Sequence, residues 1–189
     1  MLQITDSHLG QITTLSGLHF DFENPHPSMI AVADIATALS NICRFGGQIV
    51  NYYSVAQHSV LVAQMLPIRL KMPGLLHDAT EAYMGDVVSP LKNLLPYYKE
   101  LEDKLHQAIA LKFNLTVSDE DAVLIKKADI AALQLEHAAL RLKDAAALKE
   151  FMEYNNHHLT WQPTEARENF LNFYEILELN GKTTECSTA

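Results

Sequence analysis

The sequence has 189 residues, 48% of them hydrophobic and 20% charged, with a formal net charge of −9. That is long enough and apolar enough for one domain with its own core. The acidic balance excludes bulk binding of a nucleic-acid polymer, which needs basic surface, and no apolar run reaches the roughly 18 residues of a membrane span. A small anionic ligand remains compatible, because a metal ion and a few local cations can make one positive pocket in a negative protein. The first ten residues, MLQITDSHLG, have neither the basic flank nor the apolar stretch of a signal peptide. Cys43 and Cys186 lack metal-finger or disulfide spacing, so they are expected as one buried thiol and one thiol in a loose tail. Together these features predict a protein of a reducing cytoplasm.

Leu18, Phe20 and Phe22 alternate with other residues after Ser16-Gly17, which predicts a short hairpin within residues 10–23. The proline-bearing stretch Asn24 to Ser28 interrupts the chain, and the pattern then turns helical. Helices are expected from Ala31 to Phe45, stopped by Gly46-Gly47, and from Val55 to Leu66, ended by Pro67. A short helix is expected from Gly74 to Tyr83 and an amphipathic one from Tyr98 to Phe113. Ser118 with Asp121 signals the N-cap of a long helix running to about Lys143. Pro163 opens a last helix whose Phe170, Phe173, Tyr174 and Leu177 fall on one face, and Gly181 closes it. The expected fold is all-α: an N-terminal β element and linker over 1–29, a helical bundle over 30–180 and a flexible tail over 181–189.

Three of these segments place imidazoles or carboxylates among apolar residues. His58 is flanked by Val55, Val60, Leu61 and Val62; His77 and Asp78 follow Leu75 and Leu76; Asp129 lies between Ile125 and Ile130. An ionised carboxylate on a buried face costs several kcal/mol unless it is paired or bound to a cation. Taken singly, His58 reads as a satisfied core histidine and Asp129 as a partner of Lys126 or Lys127. Taken together, two histidines and two aspartates on core-facing segments ask for one shared metal ion.

The order His58…His77-Asp78…Asp129 resembles the HD superfamily of metal-dependent phosphohydrolases. The stretches AQHSVLVA, LLHDATEAYMGD and KKAD, with Arg44-Phe45 ahead of them, are similar to the 5′-deoxynucleotidase-like branch found in bacteria and phages. This resemblance covers roughly residues 30–140. It implies a helical bundle around one divalent transition metal (Mn²⁺, Co²⁺, Fe²⁺ or Zn²⁺) held by His58, His77, Asp78 and Asp129. It gives Asp78 and Glu81 catalytic roles, Glu81 as the acid/base or water-orienting carboxylate. It assigns Arg44 and Lys92 to the phosphate, Asp86 to a sugar hydroxyl and Phe45 to a wall against sugar or base. Glu81 can equally be a solvent-exposed helical residue, Asp86 a turn former after Gly85, and Phe45 plain core.

The implied activity is hydrolysis of the 5′ phosphate of a (deoxy)nucleoside monophosphate. Two alternatives share these residues: a dNTP triphosphohydrolase of the dATP type, and a non-catalytic, metal-stabilised nucleotide-binding protein. The implied partner is a small-molecule nucleotide, with no membrane and no nucleic-acid polymer, in a homo-oligomer. His106, the one histidine between Asp78 and Asp129, is expected on a helix surface, and His157-His158 in a loop without a metal.

Overall fold

Val55 to Ala63 are all buried, and that single fact organises the protein. A helix buried on every side has to be packed on every side, with each polar group it carries given a partner. The computed structural model describes residues 10–186, and the side chains of residues 10–181. In chain order the elements are β1 (Gln11–Thr13), β2 (His19–Asp21), α1 (Val32–Asn41), α2 (Val55–Met65), α3 (Lys71–Leu75), α4 (Glu81–Met84), α5 (Ser89–Lys92), α6 (Pro96–Lys112), α7 (Asp119–Glu136), α8 (Ala145–Tyr154) and α9 (Pro163–Cys186). The protein is mostly helical with one small antiparallel hairpin, in agreement with the expected class.

Helix α2 separates two apolar clusters. Val60 and Ala63 join Leu39, Leu75, Ile109 and Phe170 on one side, where α1, α6 and α9 meet. Leu61 and Val62 join Tyr53, Ala128, Ala132 and Phe151 on the other, beneath α7 and α8. The hairpin pairs Ile12 with Phe20 and turns at Gly17, whose φ of +82° suits a residue without Cβ. Phe20 is fully buried against Tyr83, ring centroids 4.4 Å apart. Ser16 fixes the turn to α1 by donating its N–H and hydroxyl to Asp34, at 2.9 and 2.5 Å.

Several expected boundaries move. Helix α1 ends at Asn41 rather than Phe45, because the following residues pair with the start of α2: Cys43 bridges Ser54, and the Arg44 N–H donates to the Tyr53 carbonyl at 2.9 Å. Cys43 is accordingly half-buried instead of buried. The expected helix from Gly74 to Tyr83 is split into α3 and α4 by the turn residues Leu76 to Thr80. His77 Nδ1 lies 2.8 Å from the Gly74 carbonyl, which a continuing helix would offer to the Asp78 N–H.

Regular geometry in α7 stops at Glu136, and a wider π turn, His137–Arg141, replaces the expected run to Lys143. Gly181 does not close α9, which continues to Cys186. Glycine costs a helix interior about 1 kcal/mol, too little to end a helix alone. The expected tail thus begins as helix; its residues 187–189, like residues 1–9 at the other end, lie outside the described residues, as does the Cys186 side chain. Helices α5 and α8 had no sequence expectation. Asp144 caps α8 by accepting the Ala147 N–H at 2.8 Å.

Gly74 sits where α3 crosses α2. A Cβ there would lie 2.3 Å from the Leu66 Cδ1 atom and 3.5 Å from the Ala63 backbone. Gly74→Val should therefore destabilise the protein by about 1–3 kcal/mol through overpacking. Thermal unfolding checks this: a lowered Tm is expected, and an unchanged one would mean that Leu66 swings clear.

Candidate metal centre

The fully buried polar side chains at the start of α2 are engaged, apart from one nitrogen of His58. The Ser54 hydroxyl caps the helix by accepting the Gln57 N–H at 3.1 Å, and Ser59 donates to the Val55 carbonyl at 2.9 Å. Gln57 donates to Asn155 and accepts from the Trp161 N–H, each at 2.9 Å. His58 is fully buried, and its Nδ1 is 2.5 Å from Glu136 Oε1. Its Nε2 has no hydrogen-bond partner. His77 repeats the arrangement: Nδ1 on the Gly74 carbonyl, Nε2 buried without a partner. With each Nδ1–H donated to an oxygen, the lone pair of each ring in its neutral form belongs to Nε2.

Both orphaned nitrogens face the same carboxylates. Asp129 Oδ1 lies 3.3 Å from His58 Nε2 and 3.9 Å from His77 Nε2. Asp78 Oδ2 lies 3.6 and 3.2 Å from the same two atoms. His58, His77 and Asp129 offer ligand atoms within 4.8 Å of one another, a group that could hold a metal ion. Asp78 borders it, so the four sequence-expected ligands stand together. The donor chemistry fits a cation: two imidazole lone pairs and two carboxylates converge, and each imidazole is oriented from behind by an oxygen acceptor, as in histidine metal sites.

The surrounding charges draw positive charge to this point, as a proton on His58 or as a cation that replaces it. Burial and the Arg44 guanidinium oppose a proton on His58, but Glu136 and Asp129 outweigh them and lift its pKa to about 9. Burial alone would raise the Asp78 pKa; His77, His58 and Arg44 hold it far below the usual carboxylate range. Asp129 is likewise lowered, by His58, His77 and Lys126 acting against burial. Its Oδ2 accepts from Lys126 Nζ at 2.6 Å while Oδ1 faces the histidines, so the lysine pairing leaves one oxygen turned to the cluster.

Glu136 is the residue that sequence reasoning missed. It is fully buried and holds three donors besides the backbone: His58 Nδ1, the Tyr53 hydroxyl at 2.9 Å, and Arg44 Nε at 3.2 Å. A signal existed, for Glu136 lies seven positions after Asp129, two helical turns along the same face.

The other expected residues lie around the cluster. Arg44 is buried, its Nη1 3.7 Å from Asp78 and its Nη2 3.2 Å from Glu136. Phe45 has a φ of +59°, strained for a residue with a Cβ, and its ring stands between the guanidiniums of Arg44 and Arg141, at 5.7 and 5.6 Å. Glu81 is buried, not solvent-exposed, and its Oε2 has no partner. Burial, then Asp78 and Asp86, push its carboxyl well above the ordinary range against the pull of Lys92. His77 and Asp78 lie in turns rather than in one helix with Glu81, and the Glu81 N–H returns to the Asp78 carbonyl at 3.0 Å. Lys92 lies 3.7 Å from Glu81 and is ion-paired with Glu102 at 2.6 Å. Asp86 is half-buried, and burial raises its pKa against Arg44. His106 is exposed on α6 and lines the cavity beside the cluster; His158 pairs with Glu165 at 3.2 Å.

The described part of the chain is thus a helical protein with one candidate His–Asp metal centre. It is 44% identical to the uncharacterized protein YfdR of Escherichia coli over 135 residues, which cover 71% of this chain and 75% of that protein. It is 36% identical to an uncharacterized protein of Rhodobacter capsulatus over 134 residues, 65% of this chain and 68% of the relative. The chain belongs to the YfdR family. No protein-family model matches it. Among the described residues, no helix is long and apolar enough to cross a membrane.

Glu136→Gln keeps the side-chain volume and removes the charge behind His58. Metal affinity should fall by about 10- to 100-fold, the usual cost of losing a partner behind a ligand. Titration of the purified variant with Zn²⁺ or Mn²⁺ measures this, and wild-type affinity would show that Glu136 serves structure alone.

Proposed function

We propose that this protein is an HD-type, metal-dependent phosphohydrolase that releases orthophosphate from a (deoxy)nucleoside 5′-monophosphate. The observation that carries the reading is the pair of unpartnered, buried Nε2 atoms of His58 and His77 facing Asp78 and Asp129. The resemblance in residue order, with Arg44-Phe45 and Glu81 in place, supports a phosphate ester as the substrate.

His58, His77, Asp78 and Asp129 would hold one divalent ion, and their mixed nitrogen and oxygen set suits Mn²⁺, Co²⁺, Fe²⁺ or Zn²⁺ better than Ca²⁺. When bound, such an ion supplies Lewis acidity toward a phosphoryl oxygen and toward the attacking water. The remaining work falls to the protein's own groups. Arg44 is fixed by Glu136 and points at Asp78, so its outer nitrogens offer a phosphate oxygen donors that need no reordering. Glu81, buried with a free Oε2, can hold a proton there and pass it to the leaving ester oxygen. Lys92 lies next to Glu81 and can reach a phosphate if it exchanges Glu102 for it. Asp86 can accept from a sugar hydroxyl, and Phe45 closes the side of the site beside Arg44.

One observation favours a second substrate, a nucleoside triphosphate cleaved to triphosphate. Arg141 stands beyond Phe45 with no ion pair among the described residues, a further cation for a longer phosphate chain. The products separate the two: orthophosphate for the first reading, tripolyphosphate for the second.

Assays of nucleoside mono- and triphosphates should show turnover that a chelator abolishes and added metal restores. Glu81→Gln should keep its metal and lose activity by about 10²-fold or more. His58→Ala should lose metal and activity together. No turnover with any nucleotide and metal would leave a binding protein in place of an enzyme, and full activity in Glu81→Gln would remove Glu81 from the chemistry.

A further inference from the structure

A cavity of about 460 Å³ opens beside the metal centre, with His77, Asp78 and Asp129 along one side. It lies between α6, the connection after it, and the first turns of α7. Asn114, with a φ of +51°, reverses the chain at the end of α6, and the Leu115 N–H returns to the Ala110 carbonyl at 2.9 Å. That turn brings Leu115 and Val117 into the wall, opposite Ile125 of α7. His106, on α6, lines the cavity and has no hydrogen-bond partner among the described residues.

A phosphate group needs charge, not this room. The volume falls in the range of small-molecule sites, roughly 300–1,000 Å³, which pair apolar walls with a few placed polar groups. The wall carries no carboxylate beyond the metal-facing Asp78 and Asp129, and its lysine, Lys126, is committed to Asp129. Aliphatic side chains with one free imidazole suit a flat heteroaromatic ring with a polar edge. They suit a polyhydroxylated sugar or a charged peptide poorly, because few partners are present for their polar groups.

We infer that this cavity receives the base of the nucleotide, with Leu115, Val117 and Ile125 against its faces and His106 hydrogen-bonded to its edge. This rests on the nucleotide reading above and assigns its specificity to residues outside the His–Asp cluster. Because His106 would read the base by hydrogen bonding, its loss changes which base is preferred more than how tightly phosphate is held.

The test is binding of the four common deoxynucleosides, which lack phosphate, to the purified metal-replete protein by calorimetry. Wild type should bind at least one. Ala122→Trp, which fills the cavity from α7, should weaken that binding by about tenfold or more with metal content unchanged. Val117→Tyr fills it from the connection and serves if Ala122→Trp does not fold. His106→Ala should alter the order of preference among the nucleosides while inhibition by inorganic phosphate stays as in wild type. The inference is overturned if wild type binds no nucleoside, or if folded filler variants bind like wild type. Nucleoside binding without nucleotide turnover would remove the catalytic reading and leave the cavity assignment. Turnover with filler variants unaffected would do the reverse.

Discussion

A buried carboxylate at position 136 is the constraint from which the centre is built. Glu136 is removed from water, and its two oxygens are shared among His58, Tyr53 and Arg44. Those donors come from α2, from the residue pair just before it, and from the bridge that ends α1. The charge of Glu136 therefore ties the end of α7 to α2 and to the bridged segment before it. It also decides the orientation of His58: with Nδ1 committed to Glu136, Nε2 must face Asp129 and Asp78. Breaking one side of such a buried network leaves an uncompensated charge, which costs far more than a surface pair is worth. The packing of α2 on both faces holds the network shut.

Two directions lead away from the cluster, and they differ in chemistry. On one lie Arg44, Glu81, Lys92 and Asp86, a charged and partly buried set to which the proposed function gives the phosphate and the proton transfer. On the other lies an apolar-walled cavity with one free imidazole. A substrate with an anionic end and a flat organic end satisfies both at once, as a mononucleotide does. Kinship with YfdR establishes a family but carries no activity with it, so the functional reading stands on the arrangement of side chains. The net charge of −9 poses no obstacle, since Arg44 and Lys92 supply local cations beside the cluster.

The metal-facing residues were legible in the sequence because they break a hydrophobic pattern. His58, His77, Asp78 and Asp129 each interrupt apolar surroundings, and their order carried a resemblance. Glu136 interrupts its surroundings in the same way and was passed over, because a single glutamate late in a helix looks like a solvated one; only its spacing from Asp129 marked it. Glu81 entered the site through the resemblance alone; the helix expected from Gly74 to Tyr83 is interrupted where the His77 imidazole takes the Gly74 carbonyl. The end of α1 was misjudged because the non-local Cys43–Ser54 bridge sets it, and the end of α7 because a local π turn after Glu136 leaves no pattern in residue types. Helix α8 was missed although Asp144 gave it a cap, and Gly181 was overvalued as a stop.

The most direct test of the account is anomalous X-ray diffraction from crystals of the protein grown with Mn²⁺ or Zn²⁺, recorded at the metal's absorption edge. The account predicts one peak, about 2.0–2.3 Å from Nε2 of His58, Nε2 of His77 and oxygens of Asp78 and Asp129. A cluster without a peak, with His58 Nε2 donating a hydrogen bond to Asp129 instead, would contradict it.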